Sequence, residues 1–335
     1  MNHDFKYVFG PVPSRRLGRS LGIDLVPFKT CSYDCIYCQL GRTTKKTVER
    51  REYVPLKAVL SELRLKLRQC EPDYITLSGS GEPTLYAPIG ELIRGIKKIT
   101  EIPVAVLTNG SLLWDMNVQD ALLLADVVVP SLDAGDDASF QHVNRPHPSI
   151  SFDKMVGGLV EFRKRYSKVI WLEVFLLGGI TAIKTEVSRI AKITRHIRPD
   201  RIQLNTVTRP PAEDFAFPVP MAQMKRFCRV FGGKAEVIAE YQGIIGKTAA
   251  TPDAGGIMAL LGRRPCTLKD IADGLNLHPT QVAKALEHLR DDGKITEKRV
   301  DNRIYYEPIK RKSTKVKSRK ITPKYKKLGM RTKNH

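Results

Sequence analysis

Short apolar segments alternate with amphipathic segments through the first two thirds of the chain. The apolar segments are rich in Val, Ile and Leu, which is typical of strands buried on both faces of a parallel sheet. They lie at residues 21–27, 74–78, 104–107, 127–132, 169–177 and 201–207, with helical patterns near 55–70, 88–100, 117–125, 153–166 and 183–198. Six strand–helix repeats predict an α/β fold, an open and partial (β/α)6 barrel over residues 21–208 with right-handed crossovers.

A different pattern begins near residue 255. Three helical patterns are followed by two alternating segments, at 257–261, 267–275, 279–292, 294–300 and 303–307. Thr267 is suited to cap the second helix and Pro279 to begin the third, while Asp301 and Asn302 suit a hairpin turn. Three helices and a hairpin over residues 255–308 resemble the winged helix-turn-helix family.

The third of these helices is the one that would meet a partner. Its inward stripe is predicted to be Val282, Leu286 and Leu289. The resemblance implies that Gln281, Lys284 and His288 face outward, where such helices contact a nucleic-acid groove. The alternative is a unit of the same shape that binds protein.

The net charge of +21 is concentrated at the C-terminal end. Residues 309–335 contain twelve Lys or Arg, beginning with Lys310, Arg311 and Lys312, and no Asp or Glu; the other 308 residues carry +9 (44 basic, 35 acidic). Such a tail is expected to be disordered when free and to bind a polyanion, RNA or DNA, unless it only aids solubility. We therefore divide the chain into a basic N-terminal segment (1–20), the barrel (21–208), an extension or linker (209–254), the winged-helix-like unit (255–308) and the tail (309–335).

Three of the six cysteines, Cys31, Cys35 and Cys38, stand within eight residues, directly after the first predicted strand. A [4Fe–4S] cluster normally takes four cysteine thiolates, so a site with three leaves one iron open to a ligand that is not protein. A zinc knuckle is the alternative, although structural zinc prefers four ligands. The chain shows no secretory signal and no apolar run of the ~18 residues that a membrane helix needs, so we expect a cytoplasmic monomer.

This spacing, with Tyr37 directly before the last cysteine, resembles the radical SAM superfamily. The resemblance implies a [4Fe–4S] cluster whose open iron binds S-adenosylmethionine. It also implies an external reductant of the flavodoxin or ferredoxin class, and reductive cleavage of the cofactor to a 5′-deoxyadenosyl radical. In that superfamily a Gly-Gly-Glu-like motif after the second strand contacts the cofactor's amino group. Here the motif corresponds to Gly79-Ser-Gly81-Glu82-Pro, in which Gly81 and Glu82 match best.

Polar residues at the ends of later strands resemble groups that hold the rest of the cofactor. They are Asn109, Ser131 and Asp133, with ordinary turn capping as the alternative. Glu173 interrupts an apolar strand and must be paired or functional, so it either approaches the cofactor or forms a structural ion pair. Two basic pairs, Arg15 with Arg16 and Arg145 with His147, could hold a phosphate or carboxylate or form ion pairs at the barrel rim.

A longer resemblance covers roughly residues 5–245. The stretch from Phe9 to Asp24, together with Gln39-Leu-Gly-Arg-Thr-Thr44, resembles radical SAM proteins related to the wyosine-type tRNA-modifying synthases. The archaeal synthases carry a second cluster on additional N-terminal cysteines, whereas this chain has no cysteine before Cys31. We therefore expect radical SAM chemistry, most simply in RNA (tRNA) modification. The alternatives are the same chemistry on a protein or small metabolite, or a DNA-binding iron–sulfur redox regulator.

Overall fold

The structure is a computed structural model that describes residues 5–238, 254–275, 277, 279–300 and 303–309. Its strands are β1 (Val8–Ser14), β2 (Gly18–Ile23), β3 (Thr30–Cys31), β4 (Lys45–Lys46), β5 (Tyr74–Leu77), β6 (Val104–Thr108), β7 (Val127–Pro130), β8 (Val169–Phe175), β9 (Arg201–Asn205), β10 (Ala235–Val237), β11 (Ile295–Val300) and β12 (Arg303–Pro308). Its helices are α1 (Leu56–Leu67), α2 (Ile89–Lys97), α3 (Met116–Leu122), α4 (Asp137–Val143), α5 (Phe152–Arg165), α6 (Lys184–Ile197), α7 (Met221–Cys228), α8 (Ala254–Leu261), α9 (Leu268–Leu275) and α10 (Pro279–Asp291).

Eight strands form one sheet in the order β1-β2-β5-β6-β7-β8-β9-β10. All neighbours are parallel except β1 and β2, which form an antiparallel pair. The six predicted strands therefore pair in sequence order, as a partial barrel requires. Apart from the exposed Val169 and the partly buried Leu107, their Val, Ile and Leu side chains are almost completely buried, because helices cover the sheet.

The two edge strands were not among the predicted ones. β1 reads Val-Phe-Gly-Pro-Val-Pro-Ser, and its prolines cannot donate to a ladder, so the segment lacks a strand signature. Such a strand is tolerated at a sheet edge, where one side needs no partner. It shifts register between Phe9 and Val12. β10 is only three residues long, which is too short for a periodicity to show.

The C-terminal unit has the predicted elements, three helices followed by the β11–β12 hairpin. Val282, Leu286 and Leu289 are buried in a separate apolar cluster, which confirms the inward stripe. The Thr267 hydroxyl accepts from the Asp270 amide at 3.1 Å, and Asp270 accepts from the Thr267 amide at 3.0 Å, so the predicted cap is present in reciprocal form. The predicted turn at Asp301 and Asn302 lies outside the described residues, as do Lys310, Arg311, Lys312 and the rest of the tail.

The C-terminal unit packs on the N-terminal edge of the sheet. Arg263, just after α8, is 2.9 Å from the carboxylate of Asp24 and lies over the Phe9 ring at 4.1 Å. The Tyr305 hydroxyl donates to the Thr208 carbonyl. Burial raises the pKa of Asp24, and the Arg263 charge opposes that rise. Within the described part of the chain, no helix is long and apolar enough to span a bilayer.

Replacing Arg263 with Met should destabilise the protein. Removing one partner of a mostly buried ion pair leaves the Asp24 carboxylate uncompensated, which should lower the free energy of unfolding by about 3 kcal/mol near neutral pH. An acid with a raised folded-state pKa disfavours folding when ionised, and protonation relieves this cost as the pH falls through that pKa. The deficit should therefore shrink as the pH falls through the raised pKa of Asp24, as measured by urea denaturation at a series of pH values.

Arg290→Met is the matched control. Arg290 lies in the same unit and pairs with Glu297 at 3.0 Å, but on an exposed surface, so its loss should change little. An equal effect of the two substitutions would contradict a buried docking contact at Arg263.

Candidate functional site

A cavity of roughly 380 Å³ opens at the carboxyl edge of the parallel strands. Because those strands run in one direction, the loops that follow them meet at this edge. Six of the predicted site residues line the cavity, namely Tyr37, Cys38, Gly79, Gly81, Ser131 and Glu173. Of the other predicted residues in the barrel, Asp133 is hydrogen-bonded to Tyr37 and, through Asn144, linked to Cys35. Glu82, Asn109 and Cys31 are hydrogen-bonded in series.

Each of the three clustered thiols has one nitrogen donor within hydrogen-bond reach. Asn109 Nδ2 lies 3.6 Å from Cys31 Sγ, Asn144 Nδ2 lies 3.5 Å from Cys35 Sγ, and Lys29 Nζ lies 3.5 Å from Cys38 Sγ. The donors come from three different loops. Lys29 has a left-handed backbone (φ 63°) and a buried side chain, an arrangement rare for a residue with a Cβ. The three thiols therefore lie in a polar environment, with a nitrogen donor from a different residue near each sulfur atom.

Burial favours the neutral form of the Cys31 and Cys35 thiols. Burial, and next the Glu82 carboxylate, raise the pKa of Cys31 to about 12, and burial raises that of Cys35 well above its ordinary value. Metal binding requires thiolates, so a metal centre here would displace protons. Among the described residues, no three His, Cys, Asp or Glu side chains surround a single ion. A cubane does not need that arrangement, since each thiolate binds a different iron.

The two glycines of the motif fix the cysteine loop against the loop after β5. A Cβ at Gly81 would lie 1.8 Å from the Thr30 carbonyl oxygen, and a Cβ at Gly79 (φ 119°) would lie 1.9 Å from Asp24 Oδ1. The Glu82 amide donates to that Thr30 oxygen at 3.2 Å. The lack of a side chain at these two glycines thus permits close approach to other parts of the protein.

The Glu82 side chain differs from the sequence expectation, because it does not line the cavity. Its Oε1 accepts from the Thr84 amide (3.0 Å) and the Thr84 and Thr108 hydroxyls, and its Oε2 accepts from the Asn109 amide at 2.8 Å. Burial raises the pKa of Glu82 while these donors lower it. The carboxylate therefore ties the β5 and β6 loops together and positions Asn109.

Asp133 is likewise buried and engaged by protein. It accepts from the Tyr37 hydroxyl, from Asn144 Nδ2 at 2.9 Å and from the Phe175 amide at 3.0 Å. Burial raises its pKa to about 6. The Tyr37 ring stacks on Phe175, with centroids 3.9 Å apart. Asp133 thus holds the residue before Cys38 and the donor to Cys35, and does not reach the cavity.

Glu173 combines both of its predicted alternatives. It lines the cavity, and it is also ion-paired to Arg16 at 2.7 Å and accepts from Asn205 Nδ2 at 2.7 Å. Burial raises its pKa, but Arg16, Asn205 and Arg15 together outweigh burial and leave it below the ordinary value. Ser131, its neighbour by a parallel backbone bridge, also lines the cavity.

The basic pairs separate into two groups. Arg15 and Arg16 line the cavity, whereas Arg145 forms an ion pair with Glu213 at 2.5 Å and His147 bonds Ser149. Sequence reasoning missed Lys29 and Asn144, as well as three arginines of the cavity wall, Arg209, Arg263 and Arg264. Lys284 and His288 were predicted to face outward, and both are exposed on α10, a helix that does not line the cavity.

The radical SAM superfamily model matches residues 25–188. A UPF0026 protein of Methanocaldococcus jannaschii is 32% identical over 308 residues, covering 89% of this chain and 94% of the relative. A UPF0026 protein of Helicobacter pylori is 33% identical, covering 89% and 96%. A protein of Brachyspira hyodysenteriae named GTPase Obg is 41% identical over 305 residues, but the match spans 90% of this chain and only 45% of that longer protein.

More distant matches are also found. A probable GTP 3′,8-cyclase of Saccharolobus islandicus is 26% identical over 146 residues, covering 43% of this chain and 44% of the relative. Among solved structures, a radical SAM methyltransferase from Sphaerobacter thermophilus superposes with a TM-score of 0.49 and 15% identity, over 65% of this chain and 66% of that chain. From the two full-length relatives and the superfamily match, the chain belongs to the UPF0026 family and is a radical SAM enzyme, a class whose cofactors are a [4Fe–4S] cluster and S-adenosylmethionine.

Proposed function

We propose that Cys31, Cys35 and Cys38 hold the cluster, that the adjoining cavity binds S-adenosylmethionine, and that the enzyme modifies an RNA, most simply a tRNA. The observation that carries the cluster assignment is the set of three thiols in one βα loop, each with its own nitrogen donor. When bound, the cluster supplies one electron that breaks the cofactor's sulfonium C–S bond and gives a 5′-deoxyadenosyl radical. We further propose a flavodoxin or ferredoxin as the source of that electron.

The chain's own residues orient these groups. Lys29 places a positive charge beside Cys38, the thiol that faces the cavity, and Asn109 and Asn144 fix the other two sulfurs. Gly79 and Gly81 bring backbone to the cavity wall, where a methionine amino group can be met by carbonyls. Tyr37, Ser131 and Glu173 supply the remaining cofactor contacts. Glu82 and Asp133 act as positioning residues, since their carboxylates bind protein donors.

The assignment of RNA as substrate rests on the C-terminal region. Its three helices and hairpin resemble a winged helix, Lys284 and His288 are exposed on α10, and the chain ends in a segment with twelve basic and no acidic residues. Such charge favours binding to a polyanion.

A small phosphorylated metabolite is the second candidate. Residues 254–309 carry nine basic and eight acidic residues, so the unit itself is close to neutral. The partial similarity to a probable GTP 3′,8-cyclase also favours a nucleotide-sized substrate.

Cys35→Ala should abolish the cluster. Losing one of three thiolates leaves two irons without a protein ligand. After anaerobic reconstitution with iron and sulfide, we expect loss of the broad visible absorbance and of 5′-deoxyadenosine formation. Cys70→Ala and Cys228→Ala are the controls, because both residues are half-buried on helices or their ends and neither lines the cavity. A cluster that survives Cys35→Ala, or fails in the controls, would refute the assignment.

Lys29→Met should make the cluster harder to reduce. A positive charge near a cluster sulfur favours the reduced, more negative state, so its removal should lower the reduction potential. For a one-electron couple, each ~59 mV is a tenfold change in the reduced fraction. Lys45→Met, an exposed lysine from the same segment, is the control. The reduction potentials of both variants can be measured by a redox titration monitored by electron paramagnetic resonance. Equal potentials would show that the Lys29 charge does not act on the cluster.

The substrate assignment can be tested on nucleosides. Bulk tRNA from cells lacking the protein should gain a modified nucleoside after incubation with reconstituted enzyme, S-adenosylmethionine and dithionite, as detected by mass spectrometry. Cys35→Ala should leave the tRNA unchanged. Abundant 5′-deoxyadenosine without any change in tRNA nucleosides would exclude tRNA and favour the second candidate.

A further inference from the structure

Five arginines line the cavity, and they come from three separate parts of the chain. Arg15 and Arg16 lie in the turn between β1 and β2, Arg209 follows β9, and Arg263 and Arg264 follow α8. The sheet's N-terminal edge, the barrel's last loop and the C-terminal unit thus converge on one wall. Such a concentration of guanidinium groups in a recess is unusual unless an anion binds there.

Three of the five arginines have carboxylate partners. The ion pairs are Arg16 with Glu173 at 2.7 Å, Arg263 with Asp24 at 2.9 Å and Arg209 with Asp270 at 3.5 Å. Among the described residues, the side chains of Arg15 and Arg264 form no ion pair. The wall therefore carries an excess of two positive charges.

The excess charge is centred on Arg15, Arg209 and Arg264. Burial first, and then the charges of Arg209, Arg16 and Arg264, lower the pKa of Arg15 to about 10 against the opposing effect of Glu173. Burial and then Arg264 lower the pKa of Arg209. The Nε of Arg209 is buried and has no hydrogen-bond partner among the described residues, so a donor is left unused. A buried donor without an acceptor lowers the stability of the folded protein, and so does the repulsion among three neighbouring cations. A bound anion would reduce both costs.

S-adenosylmethionine does not supply the missing charge. Its carboxylate is a single anion and its sulfonium group is a cation, so the bound cofactor adds no net negative charge to the cavity even when its amino group is neutral. Lys29 faces Cys38 and not this wall, so it balances the thiolate side. The counter-charge at the wall must therefore come from another molecule.

We propose that Arg15, Arg209 and Arg264 bind phosphate of the substrate, either a phosphate monoester or neighbouring phosphodiesters. Guanidinium groups present planar pairs of donors that match phosphate oxygens, and two surplus charges match one dianion or two phosphodiesters. This inference rests on the proposed function, since it places the phosphate in the same cavity as the cofactor. For an RNA substrate, the phosphates would be those next to the nucleotide that is modified.

The test measures binding to the cluster-loaded, full-length protein with two probes, inorganic phosphate by calorimetry and bulk tRNA by filter binding. Arg15→Gln and Arg264→Gln should each weaken phosphate binding about tenfold or more, the loss expected for one charge-assisted contact. Arg19→Gln is the matched control, an exposed arginine of the same hairpin that does not line the cavity. Arg15→Lys and Arg264→Lys, which keep the charge, should lose less and show that the fold is intact.

The outcomes separate this inference from the proposed function. If phosphate fails to bind, or binds equally to all variants, while tRNA is still modified, the phosphate site is wrong and the function stands. If the glutamine variants lose both phosphate and tRNA binding, both proposals are supported. If the glutamine variants lose phosphate binding, and tRNA binds neither the unsubstituted protein nor any variant, the phosphate site stands and the substrate is a small phosphorylated compound.

Discussion

The contact that the site depends on is the approach of the cysteine loop to the loop after β5. Gly81 passes so close to the Thr30 carbonyl that no side chain fits between them, the Glu82 amide donates to that carbonyl at 3.2 Å, and the Lys29 amide donates to Ser80 at 2.7 Å. These bonds prevent the loop that carries three thiols from moving independently of the sheet. Because the sheet also fixes the ends of β6 and β7, the sulfur donors Asn109 and Asn144 arrive at fixed positions.

Buried carboxylates extend this scaffold. Glu82 joins the β5 and β6 loops, and Asp133 joins the residue before Cys38 to the donor of Cys35. Each accepts three or more hydrogen bonds from protein, and this compensates much of the cost of burying a charged group. Neither Glu82 nor Asp133 lines the cavity, whereas Glu173 and the five arginines do. Both carboxylates instead contact residues that surround the site, Glu82 through Asn109 and Asp133 through Asn144.

How far the sequence could predict this site depends on the range of each contact. Three cysteines within eight residues are a local feature, and strands buried on both faces leave a clear apolar pattern, so the cysteine loop and the six central strands were predictable. Asn144 reaches Cys35 from 109 residues further along the chain, and Lys29 reaches Cys38 through a left-handed backbone that the residue type does not indicate, so the sequence pattern identifies neither donor. Glu82 was assigned to the cofactor from its resemblance to a Gly-Gly-Glu-like motif. Its hydrogen bonds from Thr108 and Asn109, 26 and 27 residues further along the chain, leave no local signal in the sequence. β1 escaped prediction because edge position, and not apolar periodicity, is what permits its prolines.

The C-terminal unit acquires a second role from its placement. As a winged-helix-like unit it would present α10 outward, yet the arginine pair after α8 faces inward and completes the cavity. Asp24 binds Arg263 and so holds this pair in position, while the same carboxylate accepts the Ser80 amide beside Gly79 at 2.8 Å. The residue that docks the unit therefore also contacts the loop after β5. A substrate bound by Arg264 would consequently be positioned relative to Cys38 through a continuous set of buried contacts, and its reacting atom would be set by the docking of the unit as much as by the barrel.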